Sequence, residues 1–201
     1  MPEPTGLNPF STRYVKPGAL PFRLDAPETL DSLVDRLEKH NWRGEITGPH
    51  GVGKSTLVQN LLTRALPEAT TVIIRSGDSP RQQYAEVLRE LTSVPGGNRP
   101  EMLIIDGLEQ LSGRQQKQIL DRTAKLGVGM LATCHQSVGL PRLIDLKPRL
   151  DTFRQIVSDL MRNRPIQLKG EEIDRVYHQY QPNLREALFS LYDLYEIKSR
   201  N

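Results

Sequence analysis

Residues 48–56 read Gly48-Pro49-His50-Gly51-Val52-Gly53-Lys54-Ser55-Thr56. Gly48, Gly53, Lys54 and Ser55 fill the fixed positions of G-x-x-x-x-G-K-[S/T]. In this pattern the glycines let the backbone curl into a nest whose N–H groups face phosphate oxygens. The lysine reaches the β- and γ-phosphates, and the hydroxyl that follows it can ligate Mg2+. The flanks supply the context such a loop needs. Glu45-Ile46-Thr47, entered from Trp42, reads as a short strand before it, and Leu57, Val58, Leu61, Leu62, Ala65 and Leu66 recur at helical spacing after it. A helix beginning here places Lys54 and Ser55 in its first turn, where the dipole favours anions. The expected nucleotide-binding loop therefore includes Pro49, Gly51, Val52 and Thr56, with His50 packing the loop.

Downstream, strand and helix signals alternate. Residues 70–75, Thr-Thr-Val-Ile-Ile-Arg, read as a strand with an apolar centre, the pattern of burial on both faces. After a turn at Ser76-Gly77-Asp78, Pro80 opens a helix whose Tyr84, Val87, Leu88 and Leu91 share a face, ending before Pro95-Gly96-Gly97. Met102-Leu103-Ile104-Ile105-Asp106 is a strand that ends in an acid. Ser112 can cap the next helix, which stops at Gly127; residues 128–134 and 143–146 are further strands. This alternation specifies a three-layer α/β core with a mostly parallel five-stranded sheet, ligand groups gathering at the carboxyl ends of its strands.

Upstream, Asp25 or Pro27 opens a helix with Leu30, Leu33, Val34 and Leu37 on one face. Five prolines and two glycines within residues 1–24 predict an extended arm anchored by Phe10, Tyr14, Leu20 and Phe22. From Pro148 onward only helical periodicity remains: Phe153, Ile156, Val157 and Leu160; then Ile173, Val176, Tyr177 and Tyr180; then Leu184, Ala187, Leu188, Leu191 and Leu194, with Asn183 as a cap. The expected organisation is an arm over residues 1–24, an α/β core over 25–147 and a small helical lid over 148–201.

Asp106 is the expected Mg2+ partner of Ser55. Glu109, three residues later in Asp-Gly-Leu-Glu-Gln-Leu, is the candidate for orienting an attacking water. Thr133 and His135, at the end of the fourth strand, are candidates for contact with the γ-phosphate or the water, provided the strand order sets them beside the loop. Four histidines and one cysteine at unrelated spacings make no metal-ligand cluster. Cys134, in an apolar run, reads as a buried, inert thiol that cannot form an internal disulfide. A net charge of +3 permits nucleic acid as a partner without arguing for it. No membrane span and no signal peptide is expected, which points to the cytoplasm.

With these residues in place, roughly residues 40–201 resemble the P-loop ATPases of the AAA+ class, and within them the origin-recognition and helicase-loader branch. The resemblance implies ATP and Mg2+ as ligands. It also implies a sensor-2 role for Arg185, since Pro182-Asn183-Leu184-Arg185-Glu186-Ala187 is similar to the start of a lid helix whose arginine reaches the phosphates. Two departures stand out. Gly107 follows the strand-ending Asp where AAA+ members usually carry Glu, and the run from Asp106 to Glu109 is similar to the strand end of STAND ATPases. Pro182 replaces a common glycine. Arg142, Arg122 and Arg149 compete as arginine fingers. The resulting expectation is an ATP-hydrolysing P-loop domain that drives or switches a protein partner and can form nucleotide-dependent homo-oligomers. The alternatives are a slow regulatory switch or loader, a small-molecule kinase, and a DNA-associated ATPase using Arg162, Arg164 and Lys169.

Overall fold

The computed structural model describes residues 8–64, 66, 69–75, 77–92 and 102–200. Pro2, Pro4 and Gly6 of the arm, Ala65, the break at Pro67, Ser76 and the Pro95-Gly96-Gly97 turn lie outside these. Five strands form one sheet: β1 (Arg43–Thr47), β2 (Thr70–Ile73), β3 (Met102–Asp106), β4 (Gly129–Cys134) and β5 (Arg142–Asp145). Their order is β2-β3-β4-β1-β5, and every neighbouring pair is parallel. The helices are α1 (Thr12–Val15), α2 (Leu30–Lys39), α3 (Lys54–Arg64), α4 (Pro80–Thr92), α5 (Gly113–Leu126), α6 (Leu150–Met161), α7 (Gly170–Tyr180) and α8 (Leu184–Ser199).

The chain divides into two compact units. One contains Leu24–Gly48 and Val58–Asp145, and so holds the whole sheet. Its order follows from parallel pairing, which needs a crossover between strands; the α3, α4 and α5 segments supply three of them. Leu103 and Ile105 of β3 and Met130 and Ala132 of β4 alternate onto one face, where Val87 and Leu91 of α4 and Ile119 of α5 cover them. At about 25 cal/mol per Å2 of apolar surface removed from water, each Leu, Ile, Val or Met among them contributes about 1.5–3 kcal/mol. Arg43 reaches from the start of β1 to the end of α5. Its guanidinium donates to Thr123 Oγ1 at 3.1 Å and to the Leu120 carbonyl at 3.2 Å. Desolvation lowers its pKa from the ordinary arginine value.

Several boundaries differ from the sequence reading. The α2 helix starts at Leu30, because Thr29 and Ser32 form a reciprocal capping box, rather than at Asp25 or Pro27. Asn41 and Trp42 take left-handed φ values of 54° and 59°, so β1 begins at Arg43. The β2 strand is not buried on both faces: it lies at the sheet edge and Ile73 is 46% exposed. An apolar run marks a strand but carries no information about whether it has one neighbour or two.

The second unit contains the described part of Met1–Arg23, Pro49–Leu57 and the described part of Leu146–Asn201. Helices α6, α7 and α8 enclose a core of Phe153, Val157, Leu160, Val176, Tyr177 and Leu191, and Phe10 is wholly buried with them. The arm is thus not extended throughout. It turns through α1, and Asn8 donates to the Tyr192 carbonyl and to Glu196 at 2.9 Å each. Salt bridges tie α6 to α7 through Arg154 and Asp174 at 2.6 Å, and α7 to α8 through Glu172 and Lys198 at 2.7 Å. No helix among the described residues is long and apolar enough to cross a membrane.

Candidate nucleotide site

In the sheet unit the carboxyl ends of β1, β4 and β3 lie side by side, because Thr47 is in register with Cys134 and Thr133 with Asp106. The order β3-β4-β1 therefore sets Thr133 and His135 between the Asp106 strand and the strand that leads into the glycine-rich loop. Cys134 is buried.

Asp106 does not end its strand as a solvated acid. Its Oδ1 accepts a hydrogen bond from Thr133 Oγ1 at 2.5 Å, and the same hydroxyl accepts from the Gly107 N–H at 3.0 Å. Thr133 is fully buried. A hydroxyl has one proton, and this one is given to the carboxylate. Thr133 therefore acts on Asp106 and the turn after it, a task the sequence reading did not assign.

Gly107 explains the missing AAA+ glutamate. Its φ is +95°, a left-handed conformation that L side chains rarely adopt, and a Cβ built there would stand 2.6 Å from the Ile74 carbonyl oxygen. Any side chain would push β3 away from the segment beyond β2. The chain instead passes through a 3-10 turn, Leu108–Gln110, whose Leu108 is buried and whose Glu109 returns a carboxylate to the strand end. Glu109 Oε1 lies 3.3 Å from His135 Nε2, with the two side chains 17% and 27% exposed. His135 thus meets the acid that was singled out for orienting water.

Glu45 was read only as a strand residue, yet it is 1% exposed. Its Oε2 accepts the backbone N–H groups of Val138 at 2.9 Å and Leu140 at 3.3 Å, holding the loop that follows His135. No sequence signal marks it, because the groups it accepts from lie more than ninety residues away. Thr47 Oγ1 donates to Asp145 Oδ1 at 2.7 Å and joins the ends of β1 and β5.

In the other unit, the loop from Pro49 runs into α3 with Lys54 and Ser55 in the first turn. Lys54 is 9% exposed, and its Nζ donates to the Pro49 carbonyl at 3.0 Å, so the ammonium folds across the loop. Val52 is buried and His50 is exposed. Gly51 has φ +71°, and a Cβ there would stand 1.8 Å from Asn183 Oδ1 and 3.2 Å from the Arg185 backbone nitrogen. Asn183 Oδ1 also accepts from the Glu186 N–H at 3.2 Å, capping α8. Arg185 therefore sits on the first turn of a helix whose cap rests against the loop, with its side chain exposed. Gly53 faces the arm: a Cβ on it would stand 2.9 Å from a ring carbon of Phe22.

Serine and aspartate offer hard oxygen donors, which suit Mg2+ rather than softer metals. Asp106 keeps acceptor capacity beyond its bond with Thr133, since a carboxylate has about four lone-pair sites. Among the described residues no group of three or more His, Cys, Asp or Glu side chains could hold a metal by itself. Of the basic residues considered for DNA, Arg162 pairs with Asp159 at 2.6 Å and Arg164 lies over the Tyr14 ring at 5.6 Å.

A family model described as an AAA domain matches residues 39–140. The daunorubicin resistance ATP-binding protein DrrA3 of Streptomyces coeruleorubidus is 28% identical over 142 residues, which is 65% of this chain and 44% of that protein. Among solved structures, the replication initiator DnaA bound to AMPPCP and single-stranded DNA matches with a TM-score of 0.56 at 21% identity, over 88% of this chain and 63% of that one. AMPPCP-bound DnaA from Aquifex aeolicus matches with a TM-score of 0.56 at 18% identity, over 88% and 64%. The chain spans less than half the length of this curated relative and under two thirds of these DnaA chains.

Proposed function

Since this chain belongs to the AAA domain family, an ATP-binding P-loop class, we propose that it binds ATP with Mg2+ and hydrolyses it to drive or switch a protein partner. The observation that carries this reading is the strand-end cluster. Asp106 is pinned by Thr133 and Glu109 is held by His135, at the sheet end where β1 leads into the glycine-rich loop.

Each residue has a distinct task. The backbone from Gly48 to Gly53 and the first turn of α3 bind phosphate oxygens through N–H groups. Lys54 places a compact cation on the β- and γ-phosphates. Ser55 and Asp106 are the protein ligands for Mg2+, which when bound neutralises phosphate charge. Glu109 accepts a hydrogen bond from the attacking water and orients it toward the γ-phosphorus. Arg185, on a helix capped against Gly51, contributes a guanidinium to the phosphates and couples the helical segment to nucleotide.

Phosphate release and nucleotide binding measured on the same samples test this. Lys54→Ala should abolish binding, while Glu109→Gln should retain binding and lower turnover by about 100-fold or more. Wild-type turnover that survives Glu109→Gln unchanged removes the hydrolytic assignment. Sedimentation of the same samples with and without ATP reports whether nucleotide drives self-association, and a requirement for an added small acceptor would identify a kinase instead.

A further inference from the structure

The β4 and β5 strands run parallel with β1 between them, yet only residues 135–141 connect them. Such a crossover ordinarily takes a dozen or more residues and a helix. It can be short here because β4 ends opposite Thr47 while β5 begins opposite Glu45, so the chain returns only about 7 Å along the sheet and about 10 Å across it. The connection crosses β1 as a strap, and a strap has no helix to satisfy its backbone. Glu45 does so from β1: its Oε2 accepts the N–H groups of Val138 and Leu140. We propose that this carboxylate is a latch, and that the strap and β5 open together as one local unit when it lets go.

The chemistry of the latch makes it reversible. Glu45 is 1% exposed, and its Oε1 is buried without a hydrogen-bond partner. Arg43, two residues earlier on the same strand, gives its guanidinium to Thr123 and to the Leu120 carbonyl. Closure therefore gains two charge-assisted bonds at Oε2 but leaves Oε1 dry, whereas opening returns both oxygens to water. These opposed terms bring the closed and open states near each other in free energy. The edge strand that the strap secures depends heavily on side chains. Whereas β1 pairs with β4 in unbroken register, its register with β5 shifts after Glu45 and leaves Leu143 without an opposite residue. The Leu143 carbonyl accepts instead from the Arg36 guanidinium, which Glu28 holds at 2.8 and 3.0 Å, and Thr47 Oγ1 ties Asp145. Side chains thus reinforce β5 at its middle and end, and the strap that Glu45 holds runs directly into its first residue. Gln136, Ser137 and Gly139 are exposed, so the outer side of the strap meets water.

Amide hydrogen exchange of the full chain under increasing denaturant tests this in wild type, Glu45→Met and Glu45→Gln. In wild type the Val138 and Leu140 amides and those of β5 should exchange through one shared opening. Its protection should be at least about 10-fold below that of β3 and β4, with a weaker dependence on denaturant. Met matches the length of the side chain and offers no carboxylate, so Glu45→Met should lower protection across the strap and β5 by about 10- to 100-fold. Gln keeps a carbonyl oxygen for the two N–H groups, so Glu45→Gln should stay within about fivefold of wild type. The amides of 142–144 decide the matter, because Glu45 Oε2 holds the strap and not β5 itself. A loss confined to Val138 and Leu140 would reduce the latch to a local bond and overturn the proposal. It is equally overturned if strap and β5 amides in wild type exchange only with global unfolding, if Met leaves them protected, or if Gln loses as much as Met. Should Glu45→Met lack a cooperative thermal transition, wild type and Glu45→Gln carry the test.

Discussion

The strand-end cluster and the loop against α8 are built from opposite materials. At the ends of β3 and β4, side chains do the holding: a hydroxyl on a carboxylate and an imidazole on another. At the loop, the absence of side chains does it, because Asn183 occupies the space a Cβ on Gly51 would need. The first region is specified by hydrogen-bonding chemistry and tolerates a substitution that keeps the chemistry. The second is specified by volume and backbone conformation and tolerates almost none.

The largest effect should come from Gly51→Ala. It combines a left-handed φ with a 1.8 Å overlap on Asn183 Oδ1, so nucleotide affinity should fall by about 100-fold or more. Adding Asn183→Gly removes the overlap but not the strain. A titration of the double variant with a fluorescent nucleotide should show partial recovery, and full recovery would mean that strain contributes nothing.

Next in size is Gly107→Glu, which restores the residue AAA+ members usually carry. The clash with the Ile74 carbonyl and the left-handed φ should destabilise the fold by about 2–4 kcal/mol in denaturant titration and abolish turnover. A stable, faster variant would show that neither the Ile74 carbonyl nor the left-handed φ restricts this position.

Thr133→Val keeps the shape and removes the hydroxyl, leaving Asp106 Oδ1 and the Gly107 N–H without this partner. A loss of about 1–3 kcal/mol in stability is expected, with reduced turnover, and Thr133→Ser should retain most of both. Equal behaviour of Val and Ser would show that packing rather than hydrogen bonding holds this end of the sheet.

The smallest effect concerns the helical unit. The Lys198 ammonium, and then the Lys169 backbone N–H, hold the Glu172 carboxyl below its ordinary value of 4.5. A depressed carboxylate pKa gives stability that is complete above the unfolded value and lost as pH falls through the folded one. Glu172→Gln should therefore cost up to about 1 kcal/mol at neutral pH and progressively less below about pH 4.5, read from thermal unfolding across pH.

Local pattern made much of this chain legible. The glycine-rich loop, the helix faces, the Ser112 cap and Gly127 stop of α5, and the acid at the end of β3 each depend on residues close together in sequence. Periodicity of 3.6 or 2 and capping chemistry are properties of short segments, so they can be read without knowing the fold. The edge position of β2 was not legible, because its apolar run looks the same with one neighbour or two. Nor was the burial of Glu45, whose partners lie more than ninety residues away.

Residues 48–56 and 102–106 by themselves led to the expectation of a phosphate loop and a companion acid, because those functions need particular residue types at short spacing. Tertiary structure alone decided which groups those residues meet. Strand order set β4 between β3 and β1 and so gave Asp106 its threonine and Glu109 its histidine. The packing of α8 set Asn183 against Gly51. The physical reason is common to both: a hydrogen bond or a steric contact depends on distance in space, and chain spacing constrains that distance only over a few residues.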